Sequence, residues 1–358
     1  MNKFLRNIFI LITSFILLSA ILIISVLWTY SNDLPDYKFL KSYKPPVSSK
    51  VYSGNGDLVA DFSQEKRVFV PFNSIPKNVI NAFLSAEDKN FFKHPGVDAK
   101  GVIRAVINNI SNILSSKRLE GASTITQQVA KNFLLTNEVS LNRKIKEAIL
   151  AFRIERALSK ERILELYLNQ IYLGSGAYGV AAASLEYFDK SIKDLNYSEA
   201  ALLAALPKAP SRYNPYRDPD IAKFRRNLVL KNLLDNNYLT SEWYEKLTKE
   251  EIILKKNKKI YLEDAQYFIE DVRKSVIETL SYDKVYKQGF NINTPIDLNL
   301  QTIATKSLRD GLIAYDKRKG WRGPLTNKIY NSEWKKDLEK YKLENSINWK
   351  LAIVKKIN

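Results

Sequence analysis

The chain has 358 residues, too many for one small core, so two or three folded units are expected, and its 45% hydrophobic content is ordinary for a globular protein. With no cysteine and one histidine, disulfides and thiolate chemistry are excluded and a zinc site is disfavoured. The net charge of +18 calls for a polyanionic partner: nucleic acid, an anionic membrane surface or a phosphate-bearing substrate.

Residues 8–28 carry no charge, and about 20 apolar residues suffice to span a bilayer. Lys3 and Arg6 precede the run, which places the N-terminus in the cytoplasm and everything after Tyr30 outside. A cleaved signal peptide fits less well, because the run exceeds a usual apolar region and no small-x-small site follows Trp28. This membrane segment selects a membrane-bound, phosphate-bearing partner over nucleic acid.

Lys44-Pro45-Pro46 reads as a stiff stalk. Ser49 to Phe62 reads as a hairpin turning at Gly54-Asn55-Gly56-Asp57. From Pro76 to about Leu234 the pattern is mainly helical. Pro76 suits a first turn, and Val79, Ile80, Phe83 and Glu87 share a face. Ile103, Val106, Ile107, Ile110, Ile113 and Leu114 form an amphipathic stripe, expected in the core, with bilayer contact as the second use. Ser115 to Glu120 reads as a loop. Helices are predicted from Leu141 to about Leu158, from the N-cap Ser159 to about Tyr172, and from Ser198 to Leu206, where Pro207 closes the last. Beyond Thr240, Lys249 to Lys259 reads as linker, Ala265 to Leu280 as helix, Phe290 to Thr294 as strand and Leu298 to Tyr315 as helix. Asn348 to Val354 reads as a strand, and residues after about Gly320 are expected to be poorly ordered.

Nucleotide-binding and acyl-transfer signatures do not hold up. Gly174-Ser175-Gly176-Ala177-Tyr178-Gly179 follows a helical pattern rather than a strand. The Ser-x-x-Lys tetrapeptides at Ser74, Ser281 and Ser332 have no Lys-Thr-Gly or Ser-Asp-Asn partner. Carboxylates, amides and cations remain, in four clusters. Glu87, at the end of an apolar face, is placed to be desolvated and to act as a general base; pairing with Lys89 or Lys93 is the structural alternative. Ser123, Thr124, Gln127, Gln128, Lys131 and Asn132 suit sugar hydroxyls and phosphate oxygens, or simply an N-cap and a solvated first turn. Arg143, Lys144 and Lys146 beside Glu147 suit a pyrophosphate next to a reacting sugar, or Glu147 is simply an i,i+4 surface partner of Arg143. Tyr167-Leu168-Asn169-Gln170 runs into the glycines, as a binding segment or a packed helix before a turn.

Taken in order, these clusters resemble the glycosyltransferase domain of class A penicillin-binding proteins and the related monofunctional transglycosylases. The family's Glu-Asp-x-x-Phe-x-x-His-x-Gly motif is matched by Glu87, Asp88, Phe91, His94 and Gly96. Gly-Gly-Ser-Thr-x-Thr-Gln-Gln is matched from Gly121 to Gln128, with Ala122 replacing a glycine. Arg-Lys-x-x-Glu is matched by Arg143, Lys144 and Glu147, and two further segments run from Tyr167 to Gly179 and from Glu199 to Pro210. The likeness extends from the anchor to about residue 325.

The resemblance implies a mainly α, lysozyme-like fold after one transmembrane helix, with a short α+β linker region at the C-terminus. It implies a cytoplasmic tail at 1–7, an anchor at 8–28, a stalk and hairpin at 29–72, a glycosyltransferase domain at 73–240 and a linker region at 241–358. It implies Glu87 and Glu147 as catalytic residues. Asp88, Phe91, His94, Ser123, Thr124, Gln127, Gln128, Lys131, Asn132, Arg143 and Lys144 are then substrate-binding. The implied partners are lipid II, the growing lipid-linked glycan, the inner (cytoplasmic) membrane and other cell-wall synthesis proteins, with no nucleic acid. No cofactor is required, though magnesium is compatible with a pyrophosphate. A penicillin-sensitive transpeptidase domain is expected to begin where the chain stops. The rival activity is a lytic transglycosylase or lysozyme-like hydrolase, which needs a glutamate but not the Lys131, Arg143, Lys144 set; an inactive truncated fragment is the non-enzymatic alternative.

Overall fold

The structure is a computed structural model. It describes residues 34–354 except 44, 47, 63–65, 115–120, 122, 137, 139, 256–262, 321–322, 326–333, 340 and 342–349, and before residue 34 it describes 7, 10–14, 17–18, 21, 25 and 28–31. Among the described residues the chain is mainly helical with two small sheets. Among the described residues no helix is long and apolar enough to cross a membrane, and much of the predicted span at 8–28 lies outside them. The expected loop at 115–120 and most of the last forty residues also lie outside the description. Residues 350–354 carry no strand, a correction to the expected one: a strand needs a ladder partner, and none pairs with them among the described residues.

The hairpin forms as its turn residues dictate. Strand β1 (Ser49–Tyr52) pairs antiparallel with β2 (Leu58–Phe62). Strand β3 (Lys66–Arg67) leads to helix α1 (Lys77–Glu87), capped by Pro76 in extended backbone. Pro76 thus precedes the first helical residue instead of occupying it. Helices α2 (Ala99–Leu114), α3 (Ile125–Leu134), α4 (Leu141–Ala157) and α5 (Lys160–Gln170) follow. Local chemistry sets three of their starts. Thr124 and Gln127 close a reciprocal capping box on α3, and the Ser140 and Ser159 hydroxyls accept from Arg143 and Arg162 N–H.

Strand β4 (Ala177–Tyr178) pairs with β3 and enters α6 (Val180–Phe188). Helix α7 (Tyr197–Ala205) is alanine-rich and buried on almost every side, which lets α1 and α8 (Pro219–Asp235) pack closely on it. Helix α9 (Ser241–Lys249) closes this body. A single core runs through it, from Val79 and Phe83 of α1 to Leu230 and Leu233 of α8.

Helices α10 (Gln266–Leu280) and α11 (Tyr282–Lys287) then lead back to the hairpin. Strand β5 (Asn291–Asn293) adds to β1 in parallel, giving the order β2-β1-β5. Val51, Ala60, Phe62 and Val285 form a separate small core there. Residues 299–358 form a second unit, which contains nearly all of α12 (Leu298–Arg318) and the short α13 (Trp334–Glu339).

The α2 stripe is not core over Ile103 to Ile110; the side chains of Ile113 and Leu114 lie outside the described residues. Ile103 is 60% exposed and Ile107 62%, with Val106 and Ile110 similarly open, while Ala105 on the other face is buried. An amphipathic period records only that one face prefers an apolar contact; here that face has no protein partner among the described residues.

Gly96 holds the loop after α1 against α4. Its φ is +101°, and a Cβ there would lie 2.8 Å from the carbonyl carbon and oxygen of Ala151. Gly96→Ala is therefore expected to cost about 1–3 kcal/mol or more, from backbone strain and the clash together. Thermal unfolding of the purified variant checks this, and an unchanged melting temperature would mean the loop moves aside freely.

Candidate active site

The loop after α1 folds back through one carboxylate. Asp88 accepts from His94 Nε2, 3.0 Å from each of its oxygens, and from the Ile125 N–H at 3.0 Å, at the start of α3. The Gly96 N–H donates to His94 Nδ1 at 3.1 Å, so the ring proton sits on Nε2. Thr124 Oγ1 donates to Gly96 O at 2.5 Å. Lys160 of α5 donates to His94 O, pairs with Glu155 of α4 and lies 4.4 Å from the centre of the Phe91 ring. Thr126 also donates to Glu155, at 2.6 Å. Asp88, Phe91, His94 and Thr124 are thus buried in a knot that joins α1, α3, α4 and α5, and they do not line the cleft.

The cleft has a volume of about 310 Å³. Its lining includes Glu87 from α1, Ser123, Gln127, Gln128 and Lys131 from the α3 region, and Lys144 and Glu147 from α4. Two of its cations were not anticipated from the sequence: Lys208, just after α7, and Arg225 on α8. Lys208 falls inside the Glu199–Pro210 motif and could have been nominated there. Arg225 had no local signal. Its neighbour Arg226 is fully buried and bonded to Ser198, Asn227, Thr248 O and Glu250 O, and on a helix consecutive residues face different directions. Asn132 is exposed and outside the cleft lining.

Two carboxylates face this cleft with different surroundings. Glu147 is almost fully buried, yet it receives Arg143 on one oxygen and Lys144 on the other, both at 2.7 Å. Lys144 also donates to Ser123 at 3.0 Å. Glu147 therefore holds two cations in fixed positions. Burial lowers the Lys131 pKa, opposed by the nearby Glu147 and assisted by Arg143 and Lys144. Among the described residues the Glu87 carboxylate has one hydrogen bond, from Gln128 Nε2 at 2.8 Å. Burial pushes its carboxyl above the ordinary range; Gln128, Arg225 and Lys208 act against that, and Asp88 adds to it.

The cleft thus combines a desolvated base with a cluster of cations, as transfer of a group bearing a phosphate leaving group requires. Residues 55–234 match the transglycosylase family, and the chain belongs to that family. It is 48% identical over 331 residues to penicillin-binding protein 1A of Rickettsia felis, covering 92% of this chain and 42% of that protein. It is 48% identical over 291 residues to penicillin-binding protein 1A of Aquifex aeolicus, covering 81% and 39%. The crystal structure of penicillin-binding protein 1A from Haemophilus influenzae superposes with a TM-score of 0.51 at 28% identity, covering 84% of this chain and 35% of that one. The chain spans less than half the length of these relatives.

The raised pKa of Glu87 has a consequence for stability. Folding favours its protonated form, so the group's contribution is full below the usual value of 4.5 and is lost as pH rises through the higher folded-state value. Glu87→Gln removes that loss. The variant should melt higher than the parent at about pH 7–8, with the difference shrinking toward about pH 4; calorimetry across this range checks it.

Proposed function

We propose that this chain is a peptidoglycan glycosyltransferase, which polymerises lipid II into glycan strands and releases undecaprenyl pyrophosphate with inversion at the anomeric carbon. The observation that carries this is the cleft shared by Glu87, Lys131 and Lys144, with Arg143 paired to Glu147 of its lining. Glu87 removes the proton from the 4-hydroxyl of the acceptor sugar, and that oxygen attacks C1 of the lipid-linked donor. The bond from C1 to the pyrophosphate breaks, and its electrons leave with the phosphate oxygen. Lys131, Arg143 and Lys144 neutralise that charge, with Glu147 fixing Arg143 and Lys144 in place. Lys208 and Arg225 add positive charge near Glu87 and favour its ionised form. Ser123, Gln127 and Gln128 offer hydroxyl and amide groups to the sugars, while Asp88, Phe91, His94 and Thr124 hold the site's shape.

A divalent cation fits this cleft poorly. Its lining carboxylates are Glu87 and Glu147, and Glu147 is already engaged by Arg143 and Lys144. Among the described residues no group of three acidic or histidine side chains could hold a metal.

The substrate's lipid tail places the enzyme at the outer face of the cytoplasmic membrane, anchored by residues 8–28. The exposed apolar face of α2, with Lys100 and Arg104 beside it, suits contact with the bilayer. The lysozyme-like architecture, the domain boundaries and association with other cell-wall proteins belong to the same reading.

Polymerisation of purified lipid II by the full chain tests it. Glu87→Gln should lower the rate about 10²- to 10⁴-fold without loss of fold. Lys131→Ala should lower kcat/KM with little change in melting temperature, since no salt bridge holds Lys131 among the described residues. Arg143→Ala should lower both, because it leaves a buried carboxylate half-neutralised. Full polymerising activity in Glu87→Gln would remove Glu87 as the base, and hydrolysis of finished glycan without polymerisation would favour the lytic activity.

A further inference from the structure

Helix α5 turns one polar group into the core that the chemistry above does not use. Tyr167 is fully buried. Among the described residues its hydroxyl is the one hydroxyl on a buried side chain without a hydrogen-bond partner. Phenylalanine would fill the same space without that unmatched donor, so packing does not explain the residue. Its neighbour on α5 is fully matched: Asn169 bonds both the N–H and the carbonyl of Val70.

The Tyr167 ring stands edge-on to Phe83, with centroids 6.2 Å apart. Phe83 lies one helical turn before Glu87 on α1, on the same face. Tyr167 therefore packs against the turn that ends in Glu87 and Asp88. The charges of both carboxylates bear on its hydroxyl, and with burial as the larger cause they hold it protonated far above the usual range.

The two carboxylates differ in what they can still accept. Asp88 is occupied by His94 and the Ile125 N–H. Among the described residues the Glu87 carboxylate has only Gln128, and Gln128 also lines the cleft. A carboxamide placed there can turn to a sugar hydroxyl as substrate enters. Glu87 then loses its neutral donor at the step where it must be ionised. The other groups facing Glu87 are Lys131 from α3, Lys208 after α7, Arg225 from α8 and Asp88 on its own helix. Lys131, Lys208 and Arg225 all line the cleft and are open to capture by substrate phosphate, whereas Tyr167 is not part of that lining.

We propose that Tyr167 is a positioning residue for the catalytic carboxylate: its hydroxyl donates to Glu87 when Gln128 is engaged by substrate, and so keeps the base ionised and oriented. The proposal rests on Glu87 being the base. No proton leaves the tyrosine; it only shares one.

Two measurements on the full chain test it. The first is the pH dependence of lipid II polymerisation for the parent and Tyr167→Phe. The acid limb should move to higher pH, with about a tenfold loss on the acid side and near-parental rates on the alkaline plateau, as a pKa change near one unit gives. An unmoved limb with an equal or higher melting temperature would overturn the proposal. If Tyr167→Phe does not fold, a fluorinated tyrosine at position 167 keeps the ring and strengthens the donor. The limb should then move to lower pH, and an unmoved limb would again overturn it. The second measurement is independent of turnover: the Glu87 carboxylate is titrated by carbon-13 NMR in Gln128→Ala and in Gln128→Ala with Tyr167→Phe. A higher Glu87 pKa in the double variant is expected, and equal values would reject the hydroxyl as a donor. If the parent itself fails to polymerise lipid II, the glycosyltransferase reading falls, and this titration still decides the role of Tyr167.

Discussion

The site depends on the buried carboxylate of Asp88, which takes hydrogen bonds from two directions at once. The His94 ring ties it to its own loop, and the Ile125 N–H ties it to the positive end of α3. Glu87 is the preceding residue, so its place relative to Gln128 and Lys131 follows from that bond pair. A buried charge held this way is costly to break, because removing one partner leaves the rest desolvated and unmatched. The Gly96 approach to α4 and the Lys160 contact with His94 O fasten the same loop from behind.

This arrangement reconciles two requirements. A general base works best with its pKa near the operating pH, which calls for desolvation. A pyrophosphate site calls for cations, which pull a nearby carboxylate the other way. The structure separates the two functions between two glutamates. Glu147 is given Arg143 and Lys144 as direct partners, whereas among the described residues Glu87 has only a neutral amide as its direct partner and senses its cations from further away. The same residue type thus serves as an anchor for charge in one place and as a base in the other.

Much of this was legible in the chain. The hairpin turn, the caps at Thr124, Ser140 and Ser159, and the start and stop of α4, α7 and α10 depend on neighbours within about four residues, and sequence shows those directly. The order of the motif clusters likewise nominated Glu87, Gln128, Lys131, Lys144 and Glu147, all of which line one cleft. It did not separate residues that face the cleft from those that support it, because Asp88 and His94 are as closely spaced in the motif as Glu87.

What the tertiary structure alone decided involves residues far apart in the chain. Arg225 enters the cleft from a helix more than a hundred residues beyond Glu87, and the parallel pairing of Val51 with Ile292 joins segments whose local patterns carry no mark of each other. The α2 stripe makes the same point in reverse: its period was plain, but its partner was not, since a helical period encodes an apolar face and not what covers it. The sequence by itself determined which elements form and which chemical groups are present, because caps, turns and periods are short-range. The burial that raises the Glu87 pKa, and the second set of cations near it, exist only once α1, α3, α4 and α8 are packed together, because desolvation and charge proximity are properties of three-dimensional neighbours.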